Sequence, residues 1–501
     1  MSAASYIQVI LPLRLDWEPW YRSEEDLPVG TRVRVKFAGK VYVAVVSASG
    51  GVPDIPLGKV QPLEEVASEL ERISAEQIGF WRFIASYYLC SIGEVYRMAY
   101  PAGKTAVESK RANKKGAGVS CVTPSRLDEE GKSAVRSILE AFADHQPVLL
   151  EGFSREAVYA ELTRRTLADG RDVLLLRPDA PRLSYATQRE LAKAVRNATP
   201  LLVEGGKSNL FLPFTKLGLV IVDDEHSASY KHSASSPRYH GRDAALALAS
   251  QHGASVLLAS ATPSLESVSN ARGGKFAYVS MRKKGSVAAK PFVIGTGDEY
   301  RKSGMVGPLS RKLIERLDAV GGRKLVLTPW NLDEPLRYRR LKTVKFSALS
   351  SEKLGAYDLV AVLNAEALLS RDDFRADEKA LQMLRYLENG TRGELVIQTS
   401  DASHPLFSME HDKYLDLLLE ERRQFGFPPF SRLVEVRIQD TNEKRREKMK
   451  SLLSRSLGGS LQVLMPKDRT LSSRKSALVA LVAEFEKEYS YPGHIVIDVD
   501  P

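Results

Sequence analysis

Residues 219–226 read LVIVDDEH, an apolar and largely β-branched run that goes straight into an acidic cluster. Such a run predicts a strand buried on both faces of a parallel sheet. Acidic groups at its C-terminal end would stand where open α/β sheets bind ligands. In nucleotide-driven motors that end carries the Asp that holds Mg²⁺ and the Glu that positions the attacking water. About forty residues on, 260–264 read SATPS, the kind of loop that couples nucleotide to nucleic acid. Asp223, Asp224, Glu225, His226, Ser260 and Thr262 are therefore candidate motor residues. Their usual partner is missing: no G-x-x-x-x-G-K-[ST] segment occurs upstream.

The chain has 501 residues, enough for two or more domains. Its 43% hydrophobic and 27% charged content is that of ordinary globular protein. A net charge of +10 favours a polyanionic partner, without bearing on the fold. No apolar run approaches the ~18–20 residues of a membrane span, and residues 1–5 lack the basic and apolar regions of a signal peptide. With Cys90 and Cys121 as the only cysteines, a four-cysteine zinc site and a disulfide framework are excluded. The expected setting is a reducing cytoplasm.

Outward from the acidic run, the expected fold class is multi-domain. Residues 1–103 form a small β-rich unit whose strands (6–15, 31–46) alternate apolar and polar residues, closed by a helical pattern over 75–99. Residues 104–125 are a basic linker. Residues 126–285 alternate strands and helices as a parallel α/β lobe does. Residues 286–420 form a second, reduced α/β lobe. Residues 421–501 form an α+β unit with strands at 432–439, 461–465, 476–482 and 494–499 and a helix over 444–457.

Several segments, taken in order, resemble the PriA family of bacterial primosomal helicases, which restart stalled replication forks. They are VGTRVRVKF (29–37), IASYYLCSIGEVYRMAYP (84–101), NLFLPF (209–214), LGLVIVDDEH (217–226), PRYHGRD (237–243), SATPSLES (260–267), DFRADE (373–378), GELVIQT (393–399), ERRQFGFPPF (421–430) and VIDVDP (496–501). The resemblance implies an N-terminal DNA-binding domain that holds a 3′ end, two RecA-like helicase lobes and a C-terminal α+β domain. It also implies DNA at replication forks as partner, with other replication-restart proteins alongside and a place at the nucleoid.

The departures from that family converge on one function. Its Gly-rich phosphate loop is replaced by LLEGFSREAVY (149–159), which lacks the Lys that reaches the β/γ-phosphates. Glu151 and Glu156 would repel a nucleotide, and Arg155 offers only a stray positive charge. Asp224 stands where the family has Glu, and Gly131 where an adenine-contacting Gln is expected. The run with two arginine fingers is replaced by LRYLENGTR (384–392), where Arg385 or Arg392 could substitute only by coincidence. Between Trp330 and Tyr357 there is no cysteine, so the zinc module is expected to be absent. Two readings compete: a DNA-binding scaffold with an inactive motor, using neither ATP, Mg²⁺ nor zinc, and a weak ATP-dependent 3′–5′ helicase. In the first, Asp223 to His226 only cap the strand and fix the Ser260–Thr262 loop; in the second, Asp223 holds Mg²⁺.

Candidate DNA contacts fall in three groups. On the N-terminal strands, Val33, Val35, Val43 and Val45 alternate inward and leave Arg32, Arg34, Lys36 and Lys40 for phosphate, or for plain solvent. Trp17, Trp20 and Tyr21 would stack on a terminal base or plug the small sheet. In the linker, Lys110, Arg111, Lys114 and Lys115 are a solvated run or a backbone contact. In the first lobe, Tyr230, Lys231, Arg238 and Tyr239 are a folded loop or a basic-aromatic surface for DNA.

Overall fold

The computed structural model describes residues 5–100, 127–181, 184–281, 291–302, 304–328, 344–348, 357–369, 373–391 and 393–501. The linker cations Lys110, Arg111, Lys114 and Lys115, together with Cys121 and Arg392, lie outside the described residues.

The N-terminal unit is a six-stranded sheet in the order Gln61–Pro62, Trp20–Ser23, Ser5–Ile10, Lys40–Ser49, Arg32–Phe37, Glu65–Val66. Its two long strands pair antiparallel, with Val33 opposite Ala44 and Val35 opposite Tyr42. Alternation puts Val33, Val35, Ala44 and Val46 in one core with Ile7 and Val9. Two helices follow. Ala75–Tyr87 is capped by Ser74, and Ile92–Ala99 by a reciprocal capping box between Ser91 and Glu94. Trp81 and Ile84 of the first helix are fully buried.

In the first lobe six parallel strands run in the order Ala277–Met281, Val148–Gly152, Ser255–Ser260, Leu217–Asp223, Asp172–Leu176, Leu202–Gly205. The Leu217–Asp223 strand is buried at every position, because helices cover both faces. Val220 and Val222 enter one apolar core; Leu219 and Ile221 enter the other. Each such side chain contributes about 1.5–3 kcal/mol through burial, which is what fixes this strand at the centre. The second lobe is a five-stranded parallel sheet in the order Phe292–Gly295, Glu394–Thr399, Leu359–Val362, Lys324–Thr328, Val344–Ala348. Its first and last strands carry no strong sequence signal.

The C-terminal unit is an antiparallel sheet, Gln462–Pro466, Ser431–Ile438, Ile495–Val499, with helices Glu443–Ser456 and Leu471–Glu488. The strand expected at 476–482 is instead part of that last helix. Leu478, Val482 and Phe485 are its buried residues, spaced at four and seven, so period 3.6 prevails over a short apolar run that reads equally well as strand. A single apolar core joins Trp81 and Ile84 of the N-terminal unit to Val220 and Leu248 of the first lobe and Val434 and Phe485 of the C-terminal unit. No helix among the described residues is long and apolar enough to cross a membrane.

Candidate functional site

At the end of the Leu217–Asp223 strand the chain turns sharply, with Asp224 at φ 45°. Asp tolerates this left-handed conformation better than most side chains, a local reason for Asp at this position. The turn sends its side chains in two directions. Asp223 accepts from Arg155 at 2.6 Å, from Tyr159 Oη at 2.7 Å and, on its other oxygen, from Arg177 at 2.6 Å. Asp224 shares the Arg155 guanidinium at 2.7 Å. Burial alone would raise the Asp223 pKa, but Arg155, Tyr159 and Arg177 outweigh it and hold the carboxyl below its usual range. Burial likewise works against the Arg155 charge, and Tyr159, Asp223 and Asp224 more than restore it.

Arg155 reaches Asp223 because little chain separates strand from helix. Val148–Gly152 ends, Phe153 and Ser154 follow, and Arg155 opens helix Glu156–Ala168 with its own Nη1 on Gly152 O at 2.6 Å. The expected stray charge of Arg155 is a buried ion pair. Glu151 and Glu156, expected to repel a nucleotide, are themselves paired. Glu151 meets Arg385 of the second lobe and Tyr278 Oη; Glu156 pairs with Arg177 at 2.8 Å. Gly131 takes a structural place, its N–H donating to the Asp128 cap at 2.8 Å.

The other half of the turn faces the Ser-Ala-Thr loop. Glu225 is fully buried and accepts from Ser264 N at 2.7 Å, Ser264 Oγ at 2.9 Å and Ser267 Oγ at 2.9 Å, and it pairs with Arg242 at 3.2 Å. His226 Nδ1 lies 2.7 Å from Ser260 Oγ and its Nε2 lies 3.4 Å from Thr262 Oγ1. Ser260 Oγ also accepts from Thr262 N–H at 2.8 Å, which ties the loop back on itself beside His226.

These residues do not fit a nucleotide and its metal. The carboxylate that would take the metal is enclosed by two guanidinium groups and a phenol. The nearest acids, Glu156 and Glu151, are committed to Arg177 and Arg385. Sequence reasoning left Tyr159, Arg177 and the Glu151–Arg385 pairing unread, since Tyr159 and Arg177 meet Asp223 across 64 and 46 positions and Glu151 meets Arg385 across 234. No cluster of three or more potential metal ligands occurs among the described residues.

Of the DNA-contact candidates, the first-lobe group is corrected. Tyr230 and Tyr239 are buried in the shared core. Their hydroxyls donate to Asp223 O at 2.6 Å and to Lys207 O at 3.1 Å. Lys231 pairs with buried Asp498 at 2.7 Å and donates to Val499 O, and Arg238 is buried. This segment is the joint that seats the C-terminal unit on the first lobe.

The N-terminal group divides. Adjacent strand residues face opposite ways, so Tyr21 is buried, with its hydroxyl on Lys36 O at 2.9 Å, while Trp20 is half-buried. Tyr21 is therefore withdrawn as a stacking residue. Arg32 is corrected too, because helix Ile92–Ala99 covers its face: it donates to Tyr96 Oη at 2.9 Å and lies over the Tyr96 and Tyr100 rings. Arg34 is held by Glu65 and Glu69. Lys36, Lys40 and Trp17 are exposed, Trp17 at 57%. Trp17 and Trp20 line a cleft of about 850 Å³ with Asp16, Ile55 and Arg82, of which Asp16 and Arg82 went unread in the sequence.

Residues 8–101 match the family PriA_3primeBD, the 3′DNA-binding domain (3′BD). The replication restart protein PriA of Haemophilus influenzae is 24% identical over 414 residues, covering 62% of this chain and 56% of that protein. The chain is similar to the PriA family in this domain and beyond it. The PriA of Rickettsia felis is 26% identical over 327 residues, covering 60% of this chain and 49% of its own. That of Chlamydia pneumoniae is 30% identical over 236 residues, at 40% and 31%. This chain thus spans about half the length of the first of these curated PriA relatives, and less of the others.

Proposed function

We propose that this chain is a DNA-binding member of the replication-restart machinery whose motor does not turn over ATP. It would bind branched or single-stranded DNA at replication forks through residues 1–120, in the cytoplasm at the nucleoid, and recruit other replication proteins. It would use no ATP, Mg²⁺ or zinc.

The observation that supports an inert motor is the enclosure of Asp223 by Arg155, Arg177 and Tyr159. A metal entering there would have to displace two buried charge-assisted hydrogen-bond donors. DNA binding is supported by the match of residues 8–101 and by the exposed Trp17 beside Lys36 and Lys40 on the same unit. A second reading, a slow ATPase, is favoured by one feature: His226 still meets Ser260 and Thr262 as a coupling loop requires.

The deciding experiment is phosphate release by the full chain with forked DNA and Mg²⁺–ATP, alongside DNA binding without nucleotide. Binding with no turnover above background is expected. Turnover that disappears in Asp223→Ala would establish the slow ATPase, and absence of DNA binding at low salt would remove the DNA reading.

A further inference from the structure

The two lobes meet over the open ends of their central strands, and side chains bond that junction shut at several points. At its near edge Glu151, on the Val148–Gly152 strand, pairs with Arg385 from helix Ala376–Gly390 of the second lobe, and both are buried. At its far edge Leu265, directly after the SATPS loop, is fully buried in the second lobe's core with Leu327 and Leu381. The Leu265 N–H donates to Glu378 Oε1 at 2.9 Å. Glu378 in turn holds Arg422 at 2.7 Å, and Arg375 of the second lobe reaches Glu266 of the first at 2.7 Å.

A lobe pair that opens and closes needs two arrangements of similar free energy. Opening this one would break the Glu151–Arg385 and Glu266–Arg375 pairs and the Leu265–Glu378 hydrogen bond, and would lift Leu265 out of an apolar core. Returning a side chain such as Leu265 to water costs about 1.5–3 kcal/mol, and the broken pairs add to that.

We infer that the two lobes form one fixed body, closed by their own side chains: Glu151 faces Arg385 where a motor sets a phosphate against an arginine, and Arg155 faces Asp223 where it sets a metal cation. The inference rests on the reading of the site as nucleotide-free. Closure that motors obtain from a ligand and release on hydrolysis is here permanent, so surfaces carried by the two lobes keep a constant spacing.

The test is hydrogen–deuterium exchange on the full chain. Segments 149–156, 264–272 and 376–391 should be protected in the wild type without nucleotide. Arg385→Met should raise exchange in these segments at least tenfold while residues 8–100 stay unchanged, and Glu151→Gln should do so less. The exchanged pair, Glu151→Arg with Arg385→Glu, should return protection toward wild type. Unaltered exchange in folded Arg385→Met and Glu151→Gln variants would overturn the inference, as would wild-type segments that exchange at the rate of open chain. Should Arg385→Met fail to fold, Glu151→Gln, which keeps an acceptor for Tyr278, carries the test. Added protection on supplying Mg²⁺–ATP to the wild type would instead overturn the nucleotide-free reading, and the variants without nucleotide report on the lock alone.

Discussion

The two halves of one acidic turn are partnered in opposite ways. Asp223 and Asp224 face guanidinium groups where a motor of this fold would hold a metal and phosphates; Glu225 and His226 face the Ser-Ala-Thr loop through hydrogen bonds of ordinary length. One half pairs with guanidinium groups of its own lobe, and the other bonds the loop beside it. The difference separates two jobs that sequence motifs merge. Orienting a loop needs only partners within the protein, so it survives the loss of a phosphate cradle. Holding a nucleotide needs a vacancy, and in this structure Arg155 stands against Asp223.

The comparison breaks first at Glu225. Glu225→Ala removes the acceptor of three hydrogen bonds and leaves Arg242 with less compensation in a buried setting. A cost of about 3–5 kcal/mol in urea unfolding is expected. Arg155→Met, on the replaced half, should cost less, about 1.5–3 kcal/mol, because Arg177 and Tyr159 still serve Asp223. Equal costs would mean both halves are structural to the same degree.

The next test lies in the N-terminal cleft. Trp17→Ala should weaken single-stranded DNA by about 1–3 kcal/mol and leave unfolding within about 0.5 kcal/mol, as exposed positions do. Tyr21→Ala, next in sequence to the half-buried Trp20 of that cleft but itself in the core, should do the reverse and lower stability. A stability loss from Trp17→Ala would place that ring in the sheet rather than on DNA.

The smallest effect is a pH slope on the retained half. His240 accepts from Arg242 N through Nδ1 while capping helix Gly241–His252. Burial first, and the Arg242 charge second, push its pKa down to about 3. The folded state therefore stays unprotonated where the unfolded chain takes up a proton, below about pH 6.5. Stability should fall as pH drops from 6.5 towards 3, by at most about 1.4 kcal/mol per pH unit from this group. His240→Asn keeps a capping acceptor without the titration and should flatten that slope in unfolding measured from pH 7 to 5.

The sheet architecture was legible in the sequence because burial on two faces writes itself as an unbroken apolar run, as in residues 219–222, and burial on one face as alternation, as in residues 32–37. The last helix was misread because SALVALV offers apolar residues at both periods, and only the side chains opposite it choose. The site was legible by halves. The two motor motifs, read as a pair, linked His226 to the SATPS loop, and the structure has both follow neighbouring parallel strands. Arg155 was visible but not its target, 68 positions on. Lys231, Arg238 and the two tyrosines look like a binding surface because a sequence displays polarity and not what covers it. The cover here arrives from the far end of the chain.

That cover also sets an order of events during synthesis. Lys231 is satisfied by Asp498 and by Val499 O, the latter 268 positions later. At roughly 5–20 residues per second a ribosome needs on the order of 10–50 s to deliver them. Throughout that interval the first lobe carries a lysine without its carboxylate and an apolar face without Val434, Phe485 and Val499 against it. A chain stopped before the Ile495–Val499 strand is therefore expected to aggregate rather than act as a shortened working molecule, and comparing its solubility with that of the full chain checks this.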